Sequence, residues 1–328
     1  MEVSRKQELL KAISGKRIAV IGDVILDHYI WGDVERVSPE APVPVVNVDH
    51  ESDRPGGAAN VALNLASLGV RTMLLGRMGD DAFAERLLEI TARERIERLQ
   101  ELPRTSAGTI VKTRVVARNQ QLCRLDREGE RSSYALPADY WQACLPSLLV
   151  SCDGVLLSDY GKGLVDDTLL EVLRREATAL GKPVFIDPKP YPERNFCGMT
   201  LMTPNRGEAI RMSGLEVDQR GDFPAEAVVE RIFAKYRPRY LVVTLGAAGM
   251  LYAENGQIGG VLPTFAREVY DVSGAGDTVI AVLTAAMLAG ATLSDAVVLA
   301  NIAAGIVVGK LGTATTKPEE ILRADGSP

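Results

Sequence analysis

Short β-branched segments alternate with helical ones along most of the chain. The strand candidates are RIAVIG (17–22), RTMLLG (71–76), GVLLSD (154–159), PVFID (183–187), TLMTPN (200–205) and YLVVTLG (240–246). Between them lie stretches with helical periodicity, such as ANVALNLASLG and DDTLLEVLRREATALG. Strands that alternate with helices form doubly wound sheets, whose ligands bind outside the C-terminal strand ends. We therefore predict an α/β fold with a mostly parallel sheet flanked by helices.

Two regions break this alternation. VPVVNVD (43–49) and the pair GTIVKTRVVA (108–117) and QLCRLD (121–126) are rich in valine and threonine, which is typical of antiparallel strands. We expect a small antiparallel β lid, with strands from about 28–49 and 108–126, inserted in one domain that spans 1–328. An open apolar sheet face would be exposed, so the lid is also expected to form a homodimer surface.

Charge and hydropathy exclude several classes of partner. The chain has 37 Lys+Arg and 43 Asp+Glu, a formal net charge of −6, so we expect no nucleic-acid or membrane partner. The N-terminal MEVSRKQELLKAISGKR lacks the apolar centre of a signal peptide. The apolar region 278–311 is interrupted by polar residues and glycine, which predicts two buried helices rather than a membrane span.

Cysteine and histidine content restricts the chemistry. The four cysteines, Cys123, Cys144, Cys152 and Cys197, form no CxxC pair, which indicates reduced, mostly buried thiols in a cytoplasmic protein. The chain has only two histidines, which leaves little material for a histidine-based triad or a His-rich zinc site. Proton transfer is therefore expected to fall to carboxylates.

A glycine-rich turn precedes a helix near the C-terminus. In DVSGAGDTVIAVL (271–283), Gly274, Ala275 and Gly276 leave backbone N–H groups bare at a helix start, where anions and phosphate bind. Asp277 follows at once, although its charge should repel such a ligand. From the motif alone, Asp277 is either a capping residue or a reacting group.

A second glycine cluster and two aspartates indicate a polyol site. Gly56 and Gly57 would let the backbone approach a polyol, and Asn60 in the first turn of the next helix could bind hydroxyls. The alternative is a turn before a helix packed by small residues. Asp23 and Asp27, after the first strand, are expected to accept sugar hydroxyls; either could instead cap the turn.

The segment TPNRGEA (203–209) follows another strand. Asn205 and Glu208 share one helical face, with Arg206 and Gly207 between them. Both could reach a hydrated Mg²⁺ ion and phosphate oxygens, because Mg²⁺ prefers oxygen ligands and keeps several waters. The alternative is a helix-capping pair.

The segment TLGAAG, with Thr244, Gly246 and Gly249, ends a strand and could admit a nucleotide, although alone it is a common hairpin turn. Neither GxxxxGK[ST] nor GxGxxG after the first strand is present. The P-loop and dinucleotide-binding interpretations therefore lose their main support.

Taken in order, GGAANVALNLASLG and DVSGAGDTVIAV resemble the PfkB (ribokinase-like) sugar kinase family, and the resemblance covers nearly the whole chain. It implies ATP and Mg²⁺ as cofactors and allows for a monovalent cation. It also implies that the amides of Gly274, Ala275 and Gly276 hold the transferred phosphoryl group, while Asp277 takes the proton from a sugar hydroxyl. Asn205 and Glu208 would serve Mg·ATP, and TLGAAG with Asn301 would contact the nucleoside.

Longer strings are similar to one branch of that family, the D-glycero-β-D-manno-heptose 7-phosphate kinases of ADP-heptose synthesis. These strings are RVSPEAPVPVV, VVARNQQLCRLD, SDYGKG, IDPK and VVGKLGTAT. The implied reaction is ATP + heptose 7-phosphate → heptose 1,7-bisphosphate + ADP. Many relatives carry a C-terminal nucleotidyltransferase domain, so a separate heptose-phosphate adenylyltransferase is expected downstream. The segment 91–106 also looks short. A ribokinase- or fructokinase-type enzyme, or a non-catalytic sugar or nucleotide sensor, remains an alternative.

A phosphorylated sugar requires cations. Arg118, at the predicted hairpin tip, is the first hypothesis, with Arg124 and Lys162 behind it, because a guanidinium can bind phosphate with two parallel hydrogen bonds. The alternative for Arg118 is a solvated turn charge. Lys189, in IDPK, is expected to neutralise phosphate charge near the transfer point.

Overall fold

The computed structural model describes residues 1–98, 103–118, 120–190, 194–216, 221–266, 269–310 and 312–324. Its helices are α1 (Val3–Ile13), α2 (Ala58–Ser67), α3 (Ala82–Arg93), α4 (Ala138–Ser151), α5 (Asp167–Ala179), α6 (Arg206–Ser213), α7 (Ala225–Tyr236), α8 (Ala275–Leu288), α9 (Leu293–Val308) and α10 (Pro318–Arg323). Short 3₁₀ turns span Arg131–Ser133 and Gly246–Ala248.

The strands are β1 (Arg17–Gly22), β2 (Val24–Val37), β3 (Pro44–Gly57), β4 (Arg71–Leu75), β5 (Met78–Gly79), β6 (Glu97–Arg98), β7 (Arg104–Thr105), β8 (Ile110–Ala117), β9 (Gln120–Arg127), β10 (Gly154–Ser158), β11 (Val184–Asp187), β12 (Leu201–Met202), β13 (Tyr240–Thr244), β14 (Met250–Glu254) and β15 (Gln257–Leu262). The main sheet has the order β15-β14-β13-β12-β11-β10-β1-β4-β6. From β13 to β6 its neighbours run parallel. All six predicted strand segments lie in this sheet, which confirms the doubly wound α/β fold.

Helices cover both faces of the main sheet. On one face Leu9 of α1, Leu65 of α2 and Ile280 of α8 pack in a shared core. On the other face Trp141 of α4 and Leu173 of α5 pack in a second core. The apolar C-terminal region forms the two buried helices α8 and α9, as expected. Among the described residues, no helix is both long and apolar enough to cross a membrane.

The lid is a separate four-stranded sheet of order β3-β2-β8-β9. The predicted hairpin is present as the antiparallel pair β8 and β9, although Asn119 at its tip lies outside the described residues. β2 pairs antiparallel with β3 but parallel with β8, so two hairpins are joined side by side. The first hairpin is longer than expected because β2 starts two residues after β1 ends and β3 runs directly into α2.

The prediction of mostly buried thiols is wrong. All four cysteines are free, but only Cys152 is buried; Cys123 is exposed, and Cys144 and Cys197 are partly exposed. Cys123 lies on β9, an edge strand of the lid whose residues are exposed throughout. Sequence spacing carries no information about which face of such a strand is covered.

Candidate active site

Three aspartates collect at one edge of the main sheet. β1, β10 and β11 are parallel neighbours, and Asp23, Asp159 and Asp187 stand at their C-terminal ends. Burial raises the pKa of Asp159 to about 7, and the nearby charge of Asp23 adds to this effect. Desolvation also raises the pKa of Asp187 well above its usual range. Such perturbed carboxyl groups are characteristic of functional sites.

Asp23 caps a turn, which is the structural alternative to the predicted sugar contact. Its carboxylate is 2% exposed and accepts backbone N–H groups from Tyr160 and Lys162, each at 2.9 Å, and from Leu164 at 3.1 Å. A buried carboxylate that already accepts three hydrogen bonds has little capacity left for a hydroxyl. Asp23 therefore fixes the loop that follows β10.

Gly56 and Gly57 of β3 allow a close approach to the neighbouring strand β2. A Cβ on Gly56 would lie 2.6 Å from an oxygen of Asp27, and one on Gly57, at φ +55°, would lie 2.3 Å from the Asp23 carbonyl oxygen. Asp27 is 5% exposed and pairs with Arg114 at 2.6 Å. The glycines are thus required for the close contact with β2 and the residue before it, and their predicted approach to a polyol stays a prediction.

Helix α8 begins as the glycine motif predicts. Gly274 precedes the helix at φ 81°, the left-handed conformation, and a Cβ there would lie 2.9 Å from Nδ2 of Asn60. Ala275 and Gly276 form the first turn, where backbone N–H groups have no partner within a helix. These two residues also line a cavity between β13, α8 and α9, so the positive end of the helix faces open space.

Asp277 lies buried in the first turn of α8, 4% exposed. One carboxylate oxygen accepts a hydrogen bond from Nδ2 of Asn60 at 2.7 Å, and the other accepts one from the Tyr160 hydroxyl at 2.6 Å. Burial raises the pKa of Asp277 to about 6, while these two hydrogen bonds act in the opposite direction. The carboxylate is therefore ionised at neutral pH and more basic than an ordinary aspartate, as a general base requires.

Polar contacts join α2 to α8 around this carboxylate. Asn64 donates to the Asn60 carbonyl oxygen at 2.9 Å and accepts from the Thr278 hydroxyl at 2.8 Å. Asn60, Asn64 and Thr278 are all at most 2% exposed. Asn60, which is predicted to bind sugar hydroxyls, thus holds the Asp277 carboxylate in place from the neighbouring helix.

Tyr160 is the main site residue that the sequence reasoning missed. It lies in SDYGKG, and Lys162 is the one residue of that segment that the sequence predicts to bind a ligand. Its hydroxyl donates to Asp277, and two ammonium groups lie over its ring: Nζ of Lys112 at 5.3 Å and Nζ of Lys189 at 5.5 Å from the centroid. A signal existed in the position of the tyrosine directly after a buried strand and its aspartate.

Replacing Tyr160 with Phe should shift the acid limb of the pH–rate profile. The lost hydrogen bond stabilises the charged carboxylate, so its removal raises the pKa of Asp277 further above about 6. Hydrogen bonds to charged groups contribute ~1.5–3 kcal/mol, which corresponds to roughly one to two pH units. We expect kcat to fall strongly at pH 6.5 and much less at pH 8.5.

Tyr134→Phe is a matched control, because the Tyr134 hydroxyl is also hydrogen-bonded but contacts only the backbone of Gly108 and Gly129. The acid limb of the pH–rate profile should not shift in Tyr134→Phe. An unshifted limb in the Tyr160 variant would mean that the hydroxyl does not act on Asp277.

Asn205 and Glu208 form a capping box at the start of α6. The Asn205 side chain accepts the Glu208 N–H at 3.0 Å, and the Glu208 carboxylate accepts the Asn205 N–H at 2.9 Å. The other Glu208 oxygen pairs with Lys189 at 2.5 Å. The two residues therefore form the helix-capping pair that the sequence analysis gives as the alternative. Both carboxylate oxygens of Glu208 accept hydrogen bonds. Gly207 lies inside the same turn.

The carboxylate of Asp187 is the least satisfied group on this side. No described residue donates a hydrogen bond to it. Burial raises its pKa, the charge of Lys189 lowers it, and the acidic neighbours, which include Glu208 and Asp277, raise it further. Within the described ranges, no group of three acidic, histidine or cysteine side chains forms a metal cage. An ion that keeps most of its waters, as Mg²⁺ does, suits this donor set.

The predicted nucleoside residues line one cavity of about 440 Å³. Thr244, Gly246, Gly249 and Asn301 all border it, together with apolar residues of α8 and α9. Asn301 uses its side chain within the protein, since it donates to the Pro263 carbonyl oxygen at 2.7 Å. The cavity therefore extends from the strand end at β13 to the first turn of α8.

Two predicted binding residues are directed away from this cavity. Arg206 lies over the Phe223 ring and donates to the Gly221 carbonyl oxygen. Arg118 pairs with Asp33 at 2.6 Å and has a side chain 70% exposed. It lies six residues beyond Lys112 in sequence, which is roughly 20 Å along an extended strand. The structure does not bring Arg118 to the strand ends, because the hairpin points its tip away from them.

Comparison with known proteins identifies related chains. The model of the pfkB family carbohydrate kinases matches residues 16–320. The bifunctional protein HldE of Halorhodospira halophila is 45% identical over 313 residues, 94% of this chain and 63% of that protein. HldE of Aeromonas salmonicida is 44% identical over 312 residues, with the same coverage. The chain thus spans less than two thirds of the length of these relatives.

Solved structures share the fold. A ribokinase of Arabidopsis thaliana, complexed with ribose and ATP, superimposes with a TM-score of 0.73 at 18% identity, covering 94% of this chain and 98% of that one. A ribokinase of Giardia lamblia gives a TM-score of 0.74 at 19% identity, covering 93% and 98%.

The doubly wound sheet, the glycine turn at α8 and the buried carboxylate after it define a phosphotransferase that acts on a sugar hydroxyl. The family match extends over 305 of the 328 residues, from 16 to 320. This chain belongs to the pfkB family of carbohydrate kinases.

Proposed function

We propose that this protein transfers the γ-phosphoryl group of ATP to the anomeric hydroxyl of D-glycero-β-D-manno-heptose 7-phosphate, which gives the 1,7-bisphosphate and ADP. The arrangement of Asp277 carries the proposal: a buried carboxylate, held by two hydrogen bonds, stands beside the first-turn amides of α8 at a cavity. The five strings that resemble heptose 7-phosphate kinases, and the similarity to the HldE proteins, support this choice of sugar.

In this mechanism Asp277 removes the proton from the C1 hydroxyl as its oxygen attacks the γ-phosphorus. The amides at Gly274, Ala275 and Gly276 stabilise the negative charge on the transferred phosphoryl group. Asp277 tolerates the nearby anion because its carboxylate is directed to Asn60 and Tyr160 rather than to the helix axis. ADP leaves with the bond between its terminal oxygen and the γ-phosphorus broken.

The proposed cofactors are ATP and Mg²⁺. Asp187 and the exposed Asn205 would contact the ion, largely through its waters, with Glu208 and Lys189 fixing the loop beside it. When bound, Mg²⁺ neutralises phosphate charge during transfer. The nucleoside would occupy the cavity at Thr244 and Gly249. A cytoplasmic location, a monovalent cation and a downstream adenylyltransferase belong to the same proposal.

A coupled ADP-release assay tests this function. Mg·ATP is offered with D-glycero-D-manno-heptose 7-phosphate, ribose, fructose or fructose 6-phosphate, and NMR locates the new phosphate. Turnover of the heptose phosphate alone, at C1, is expected. Turnover of a free sugar would instead favour a ribokinase- or fructokinase-type enzyme, and no turnover would favour a sensor.

We also propose a homodimer through the lid. Exposed apolar side chains lie on its strands and connecting segments, namely Val37, Val43, Val48, Leu122 and Leu125. Leu125→Glu should convert a dimer into a monomer in light scattering at micromolar concentration, because it places a charge on the apolar surface. Val150→Glu, which changes an exposed valine on α4, is the control. A wild-type monomer would contradict the dimer.

A further inference from the structure

Lys112, on the inner face of the lid, has no acidic partner of its own. Among the described residues, no carboxylate lies within 4 Å of its ammonium group, although the side chain is half-buried. Burial lowers the pKa of Lys112, and the charges of Lys162, Arg114 and Arg124 lower it further, while Asp27 acts in the opposite direction. A lysine desolvated among other cations is unfavourable unless an anion joins it.

The surrounding cations are already neutralised in pairs. Arg114 pairs with Asp27 at 2.6 Å, Arg124 with Asp126 at 2.7 Å, and Lys162 with Glu128. Four cations thus meet three carboxylates. We name Lys112, Arg114, Arg124 and Lys162 the inner lid cluster. Its surplus positive charge is located on Lys112.

The register of the lid places these groups on one face. Lys112 and Arg114 are two residues apart on β8, so both side chains point to the same side. Arg124 lies directly opposite Arg114 on β9, and Asp27 lies opposite Lys112 on β2. Neighbours across strands on one face are close enough to act on the same ligand.

The ring of Tyr160 lies between Lys112 of the inner lid cluster and the Asp277 carboxylate. The Lys112 ammonium group is 5.3 Å from the centroid of Tyr160, whose hydroxyl bonds Asp277 at 2.6 Å. Lys189, over the same ring, is held by Glu208 on the nucleotide side. The lid side of the ring therefore offers a cationic site distinct from the one for the triphosphate.

We propose that Lys112 binds the phosphomonoester that the acceptor sugar already carries, with Arg114, Arg124 and Lys162 around it. This inference rests on the proposed function for the identity of the sugar. The phosphate adds the negative charge that the cluster lacks. The exposed Arg124–Asp126 pair, with side chains 50% and 32% accessible, can exchange partners at little cost.

Lys112→Met, which keeps most of the apolar side chain but removes the charge, should raise KM for heptose 7-phosphate about 10- to 100-fold, the range expected for a hydrogen bond between charged groups. Its KM for ATP and its rate with the unphosphorylated heptose should change less than threefold, roughly the limit of a lost surface contact. Lys112→Arg should restore most of the affinity. Lys235→Met is the control, because Lys235 also stacks on a tyrosine ring, 4.9 Å from the centroid of Tyr236.

Equal losses for the phosphorylated and unphosphorylated sugars would overturn the assignment, and so would a selective effect at Arg118 instead. If the wild type phosphorylates no heptose phosphate, the proposed function fails separately. Calorimetric titration with fructose 6-phosphate then tests the site itself: binding by the wild type and loss in Lys112→Met supports it, and equal binding by both rejects it.

Discussion

Asp277→Asn should lower kcat by about 10²–10⁴-fold, the usual contribution of a general base, while ATP still binds. The amide is nearly the same size and remains at the first turn of α8, but it cannot take a proton. Single-turnover measurements with the preferred sugar, beside calorimetric titration with ATP, separate the two effects. A variant with kcat near that of the wild type would exclude Asp277 as the base.

The stability of the same variant provides a control for folding. The carboxyl pKa rises from 3.8 to about 6 on folding, so the native state holds the extra proton and the wild type loses stability as pH rises from about 4 to 6. At ~1.36 kcal/mol per pKa unit, the loss approaches 3 kcal/mol. Asp277→Asn should not show this pH-dependent loss of stability. Its free energy of unfolding in urea, relative to that of the wild type, should therefore increase between pH 4 and pH 7. A constant difference would show that Asp277 titrates normally.

Gly274→Ala is expected to reduce kcat by about 10²–10³-fold, comparable to the loss of one donor from an oxyanion hole. The new Cβ meets Nδ2 of Asn60 at 2.9 Å in a backbone conformation that side chains disfavour. Both the first-turn amides of α8, which are proposed to bind the phosphoryl group, and the hydrogen bond from Asn60 to Asp277 would be displaced. Steady-state kinetics at saturating ATP measure the loss.

Gly290→Ala is the matched control for this substitution. Gly290 follows the other end of α8 at φ 87°, and no atom lies within 4 Å of a Cβ built there. It carries the same backbone strain, a cost of about 1 kcal/mol in stability, without touching the site. Equal activity losses in the two variants would mean that Gly274 acts only through folding.

Sequence periodicity and local motifs predicted the features that depend on neighbouring residues. The strands of the main sheet, the hairpin β8–β9 and the glycine start of α8 each depend on a few consecutive residues. Asp277 is predicted to be a functional residue because its negative charge would otherwise repel an anion bound at the start of the helix. The family resemblance then gave it a role as the base.

Features that depend on distant pairing were not predictable in this way. The parallel pairing of β2 with β8 joins residues that are 85 positions apart in sequence, and it contributes to placing Lys112 near Tyr160. Arg118 was selected for its place at a turn, but the direction of that turn is set by the pairing. The capping role of Asp23 likewise depends on a loop that follows β10.

The direct passage from β3 into α2 has a consequence for how acceptor specificity can change. β3 ends at Gly57 and α2 begins at Ala58, so the lid and the helix that carries Asn60 share one uninterrupted backbone. A lid taken from another kinase would bring its own angle of entry into α2 and would reorient the amide that holds the base. A change in the lid is therefore expected to alter both the proposed recognition of the acceptor and the proposed proton transfer at Asp277.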